Sequence, residues 1–166
     1  QRLMKLVCRE ENIDVRAHPP KSLSRRVSDL KNDLVSPERA EADANDQDSQ
    51  VLAHTYAAYQ RRLTQANAMD FDDLIMSTVH VLRTHPDIAD HYRRRFRHIL
   101  VDEYQDTNPA QYELVRVLTG TADDAVHGEL TVVGDADQSI YAFRGATIRN
   151  IEDFEKDFPE ARTILL

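Results

Sequence analysis

The stretch "HILVDEYQDTNPAQYELVRVLTG" (residues 98–120) decides the fold. It opens on a short aliphatic run, His98 to Val101, that ends in two acids, Asp102 and Glu103. A helix is outlined next. Asn108 is suited to cap it, Pro109 to fill its first turn and Gly120 to end it. Downstream, "LTVVGD" (residues 130–135) is a second aliphatic run ending in an acid, and "RTILL" (residues 162–166) is a third. "ATIRNIEDFEKDF" (residues 146–158) supplies a helix between the last two. Strand, helix, strand, helix, strand predicts about three parallel strands, buried on both faces and flanked by helices. The fold class is therefore α/β.

Working outward, the upstream half is helical. Leu3, Leu6 and Val7 give helical spacing before Pro19 and Pro20 break the chain. Ser22 or Ser24 is suited to cap a helix running towards Leu34. "SPERAEADANDQDS" (residues 36–49) holds five acids against one arginine and few apolar residues, which predicts an exposed linker or frayed helix with a solvated acidic face. From about Ser49, Val51, Leu52, Tyr56, Tyr59 and Leu63 recur at helical spacing. "AMDFDDLIMSTVHVLRTHP" (residues 68–86) is a further helix, with Asp70 placed to cap it and Pro86 to close it. A short helix, "HPDIADHYRRRFRH" (residues 85–98), precedes the sheet.

Composition narrows the function classes. The 166 residues are 41% hydrophobic, enough to bury a real core as one domain or two small ones. A formal net charge of −8 argues against a surface that embraces nucleic acid all round, although residues 1–35 carry eight Lys/Arg against five acids. Cys8 is the single cysteine, which excludes an internal disulfide and fits a reducing compartment. No apolar run approaches the ~20 residues that span a bilayer. The first residues read as a helix entered in mid-stride, as in a piece of a longer chain.

In a parallel sheet, ligands bind beyond the carboxyl ends of the strands. An Asp at such a strand tip, here Asp102, can hold Mg²⁺ through water, and a following Glu, here Glu103, can polarise a water for phosphoryl transfer. Taken alone, an aliphatic run followed by "DE" is a weak signal that a strand ending in solvated acids accounts for better. The segment "VVGDADQSIYAFRGA" (residues 132–146) adds context: Asp135, Asp137 and Gln138 suit ions and phosphates, while Tyr141, Phe143 and Arg144 suit stacking.

"VDEYQDTNPAQYELV" and "VVGDADQSIYAFRGA", in this order, resemble motifs II and III of the UvrD/Rep/PcrA-type superfamily-one DNA helicases, and "AMDFDDLI" upstream also matches a segment of that family. The resemblance runs over essentially the whole chain. It implies an ATP-dependent helicase and translocase on single-stranded DNA, moving 3′ to 5′ as the family does, acting at duplex junctions in repair or replication. ATP and Mg²⁺ would be used, in the cytoplasm at the nucleoid. By the resemblance, Asp102 would help coordinate Mg²⁺, Glu103 would activate water, and Gln138 would sit near the γ-phosphate. Tyr141 and Phe143 would stack on DNA bases, Arg144 would support that contact, and Phe71 would be another aromatic on the DNA track. Many relatives carry Trp where this chain has Phe143, so stacking there is expected to weaken. Several of these side chains also fit a plainer structural place. Phe71 can instead be the first core residue of its helix, Tyr141 can pack inward, and Arg93, Arg94, Arg95 and Arg97 can form a solvated helix end.

A nucleotide motor of this kind needs a Gly-rich loop followed by Lys. None of the four glycines here is followed by Lys, so that phosphate cradle is not in this chain. The resemblance thus implies an internal slice: residues 1–68 as a helical 1B-type subdomain and residues 69–166 as the later part of a RecA-like lobe, with the P-loop strand, the second lobe and the rest of the motor missing. "RTILL" would then be unpaired, re-paired or borrowed by a second copy, because an exposed apolar edge invites self-association. A helicase–nuclease subunit of recombination, and an inactive fragment with weak single-stranded DNA binding, are the alternatives.

Overall fold

A computed structural model describes residues 1–121, 124–135, 154, 156 and 158–164. The chain divides into two compact units, Gln1–Met76 and Ser77–Leu166. The division falls within one continuous helix.

The first unit is helical. It holds α1 (Arg2–Glu10), α2 (Pro20–Asn32), α3 (Pro37–Asp43), α4 (Gln47–Gln65) and the start of α5 (Phe71–Thr84). The starts of α2, α3 and α4 have local chemical causes. Pro20 supplies the preset φ of a first helical residue, so α2 begins before the expected Ser22 or Ser24. Ser36 caps α3 by accepting the Arg39 N–H at 3.2 Å. Asp46 and Ser49 form a reciprocal capping box that starts α4. The acid-rich segment is therefore a short helix and a capped helix start, where a linker or frayed helix was expected; its polar side chains satisfy the orphan backbone groups of two helix ends.

One apolar cluster holds these helices. Met4, Cys8, Leu23, Val27, Leu52 and Tyr56 are buried, with Ile13, Leu30, Ala40 and Tyr59 packed around them. The buried seam of α1 is Met4, Val7 and Cys8, and Leu6 of the expected seam is exposed. Tyr56 keeps its hydroxyl satisfied inside the core by donating to the Val35 carbonyl at 3.0 Å.

The second unit continues α5 and adds α6 (Pro86–Arg95), β1 (His98–Val101), a 3-10 turn (Tyr104–Asp106), α7 (Pro109–Thr119) and β2 (Glu129–Val132). Pro86 opens α6 rather than closing α5, because it stands in the first turn of α6 where no N–H is needed. In α7 every expected end signal is present. Asn108 and Gln111 form a capping box, Pro109 follows, and Gly120 ends the helix at φ 76°. A Cβ at Gly120 would also lie 3.0 Å from the Val126 carbonyl oxygen, so space and backbone both demand glycine. Leu82, Ala89 and Val117 form the buried cluster, flanked by Ile88, Leu114 and Leu118.

β1 and β2 pair in parallel, His98 opposite Glu129 through Val101 opposite Val132. Among the described residues these are the sheet's two strands. Arg162, Thr163 and Ile164 belong to neither, and Leu165 and Leu166 lie outside the described residues. Burial on both faces is not found. Ile99, Val101, Leu130 and Val132 are half-buried, whereas His98, Leu100, Glu129 and Thr131 are exposed, Leu100 by 72%. The alternation follows from the pleat: with two strands and one covered face, every second side chain meets water. His98 and Glu129 use that exposure to pair across the strands at 3.0 Å.

Candidate functional site

The carboxyl ends of β1 and β2 bring two acid-bearing loops together. Backbone pairing continues past both strands. The Val133 N–H donates to the Val101 carbonyl at 2.8 Å, and the Tyr104 N–H donates to the Val133 carbonyl at 3.0 Å. Asp102 and Glu103 leave one strand, and Gly134 and Asp135 leave its neighbour.

Glu103 adopts the left-handed region at φ 52°, ψ 42°, which breaks the extended run and turns the chain into the 3-10 segment. Its N–H donates to Oδ1 of the preceding Asp102 at 2.9 Å. Asp102 and Glu103 are both exposed and available to a ligand.

Gln105 ties the two loops. It is 1% exposed, and its amide Nε2 donates to Glu103 Oε2 at 2.6 Å while its Oε1 accepts the Asp135 N–H at 3.0 Å. One buried amide thus touches both strand ends. Gly134 makes room for it, since a Cβ there would come within 2.8 Å of Gln105 Oε1. Residue patterning alone did not single out Gln105. Its signal was an amide two residues beyond an acid pair, followed directly by a further acid, Asp106.

Among the described residues no group of three or more His, Cys, Asp or Glu side chains could hold a metal ion. Mg²⁺ takes one or two carboxylates and completes its shell with water and substrate phosphate. The hard oxygen donors of Asp102 fit such an ion.

A second expected position lies in the first unit. Phe71 opens α5 and is 87% exposed, so it is not a core residue. The acids around it turn inward. The Asp73 N–H donates to Asp70 Oδ1 at 2.8 Å and the Asp70 N–H donates to Asp73 Oδ2 at 3.2 Å, a reciprocal cap. Lys31 Nζ donates to Asp70 Oδ2 and Asp73 Oδ1, both at 2.8 Å, and Ser28 Oγ donates to Asp72 Oδ2 at 2.7 Å. Burial alone would raise the Asp70 pKa; the hydrogen bonds from Lys31 and the Asp73 N–H outweigh it and hold the group below its ordinary value. Asp72 is pushed up, first by burial and then by the charge of Asp70.

Gln138, Tyr141, Phe143 and Arg144 lie outside the described residues. Of the arginines weighed as a solvated helix end, Arg93 is a correction. It is buried, donating Nε to the Val117 carbonyl at 3.0 Å and pairing with Asp124 at 2.9 Å, so it joins α6 to the end of α7. Arg94, Arg95 and Arg97 are exposed. No described helix is long and apolar enough to cross a membrane.

The chain is similar to known proteins along nearly all its length. The profile of the UvrD/REP helicase N-terminal domain matches residues 1–159. An ATP-dependent DNA helicase UvrD1 of Mycobacterium tuberculosis is 57% identical over 171 residues, covering 100% of this chain and 22% of the relative. UvrD1 of Mycobacterium leprae is 54% identical, covering 99% of the chain and 22% of the relative. An ATP-dependent DNA helicase PcrA of Staphylococcus epidermidis is 48% identical over 164 residues, with the same coverage of 99% and 22%. The chain thus spans about a fifth of the length of these relatives.

Proposed function

The chain belongs to the UvrD/REP helicase N-terminal domain family, and from that premise we propose that it is a segment of an ATP-dependent DNA helicase that translocates 3′ to 5′ on single-stranded DNA. It serves repair or replication in the cytoplasm. Residues 1–68 correspond to a 1B-type helical subdomain and residues 69–166 to the later part of a RecA-like lobe.

One observation carries the reading: Asp102 with Glu103, and Gly134 with Asp135, leave adjacent parallel strands side by side, bridged by buried Gln105. This is where an α/β sheet receives a nucleotide. Glu103 takes the proton of the water that attacks the γ-phosphorus, and Gln105 orients its carboxylate. Asp102 would hold Mg²⁺, which when bound neutralises charge on the transferring phosphoryl group. By the family resemblance, Gln138 would respond to that phosphoryl group, and Tyr141, Phe143 and Arg144 would contact DNA. One segment then connects hydrolysis to the grip on the strand. Phe71 supplies a further stacking face, in keeping with its exposure. Self-association of the isolated chain through an open sheet edge is to be read by size exclusion at several concentrations.

The test is Glu103→Gln in the full-length protein that carries this chain. Nucleotide binding is expected to persist while DNA-stimulated hydrolysis falls by about 10²-fold or more. Full turnover by that variant overturns the assignment. The 166-residue chain alone is expected to hydrolyse no ATP, since it has no Gly-Lys phosphate loop.

A further inference from the structure

Lys31 is the most deeply buried charge among the described residues, with 0% of its side chain exposed, and catalysis at the strand ends makes no use of it. Its ammonium group reaches α5 across 39 residues of sequence to Asp70 and 42 to Asp73. It also lies 5.2 Å from the Tyr59 ring centroid and 5.8 Å from that of Tyr56. Gln60 adds a bond to Asp73 Oδ1 at 3.1 Å. An ion pair of this kind is a poor stabiliser relative to an apolar replacement, because desolvating the charges offsets much of their attraction. Its consequence is geometric. Asp70, Asp72 and Asp73 are all drawn towards α2, and Phe71 alone of residues 70–73 is displayed, 87% exposed. Met69 and Leu74, 58% and 52% exposed, flank it. A large ring left in water forgoes the gain of burial, so a display held this firmly has a use outside the unit.

We propose that Lys31 is a positioning residue for Phe71: by clamping the first turn of α5 onto α2 and α4, it fixes the ring as a stacking face for a base of single-stranded DNA. This rests on the DNA-binding reading of Phe71 given above. The charge around the ring agrees with a base contact. Three carboxylates against one ammonium disfavour a phosphate at that spot, so the base approaches with its backbone turned away.

The experiment measures affinity of the full-length protein for an oligothymidine strand, and for a strand of equal length with abasic sites, by fluorescence anisotropy. Phe71→Ala is expected to weaken oligothymidine binding about fivefold to a hundredfold and to spare the abasic strand. Lys31→Met is expected to weaken oligothymidine binding at least about threefold, to spare the abasic strand, and to add nothing once Phe71→Ala is present. Should Lys31→Met fail to fold, Asp70→Asn replaces it. Asn caps a helix as well as Asp, but its single oxygen cannot serve both the Asp73 N–H and Lys31. Additive losses, or equal losses on both strands, overturn the positioning role while leaving Phe71 a DNA contact. A Phe71→Ala protein that binds oligothymidine like the wild type removes the DNA reading itself, and the positioning role with it.

Discussion

Adding one methyl group at Gly134 tests the bridge between the two strand ends. In Gly134→Ala the new Cβ would stand 2.8 Å from Gln105 Oε1, 3.3 Å from the Gln105 nitrogen and 3.3 Å from Tyr104 Cβ. The first contact is too short to persist, and Oε1 is the mobile end of a side chain, so the amide gives way. Two bonds go with it: the Asp135 N–H to Oε1 at 3.0 Å, and Nε2 to Glu103 Oε2 at 2.6 Å. A neutral bond contributes about 1 kcal/mol and one to a charged group about 1.5–3 kcal/mol. Glu103 is exposed, so water replaces much of the second, and the net loss should be about 1–2 kcal/mol. For a chain of this length that lowers Tm by about 2–8 °C. The Asp135 amide should exchange faster with deuterium, and in the full-length protein ATP turnover should drop on the order of tenfold to a hundredfold as Glu103 loses its orienting partner. Gln105→Leu breaks the same two bonds, so the pair of substitutions should cost little more than either alone. Unchanged Asp135 exchange, or strictly additive losses, would refute the bridge.

Further expectations follow from single side chains. Glu113 accepts bonds from Arg116 at 2.8 Å and Arg83 at 3.0 Å, and although burial works against it, these guanidinium groups hold its carboxyl below the ordinary range. Glu113→Gln should cost about 1–2 kcal/mol near neutral pH, discounted because Arg83 and Arg116 are partly exposed. A depressed folded pKa places that stability above the unfolded value near ~4.3 and loses it as pH falls through the folded one, so urea melts should show the two proteins converging in acid. Asn108→Ala removes the cap of α7 and should cost about 1 kcal/mol, read as an earlier thermal transition.

How much of this could be read from the residues depends on the range of the cause. α7 was legible from end to end because Asn108, Pro109 and Gly120 act on backbone groups within one turn. The parallel pairing of β1 and β2 was legible from two aliphatic runs ending in acids, but the exposure of Leu100 was not, since hydrophobicity along a strand does not say how many layers cover it. Lys31 looked like one more charge in a basic stretch. Its burial depends on carboxylates some forty residues away. The same distance hid the display of Phe71, whose helical position fits a core face and an exposed tip equally well. Gln105 was missed because its second partner belongs to a different strand end.

Among the described residues, four other than glycine occupy the left-handed region: Asn12, Leu34, Asn67 and Glu103. The first three follow helix ends, where such a conformation closes the last turn. Glu103 alone sits at a strand exit, and a side chain of its kind is held there against a preference of about 1–2 kcal/mol. Asn tolerates that conformation better but, one methylene shorter, forfeits the bond from Gln105 Nε2, so Glu103→Asn should leave thermal stability about unchanged while removing the carboxylate that acts as a base. Stability alone therefore does not hold glutamate at this position; chemistry does. A library screened only for heat resistance should tolerate other residues there, and one screened for turnover should restore glutamate.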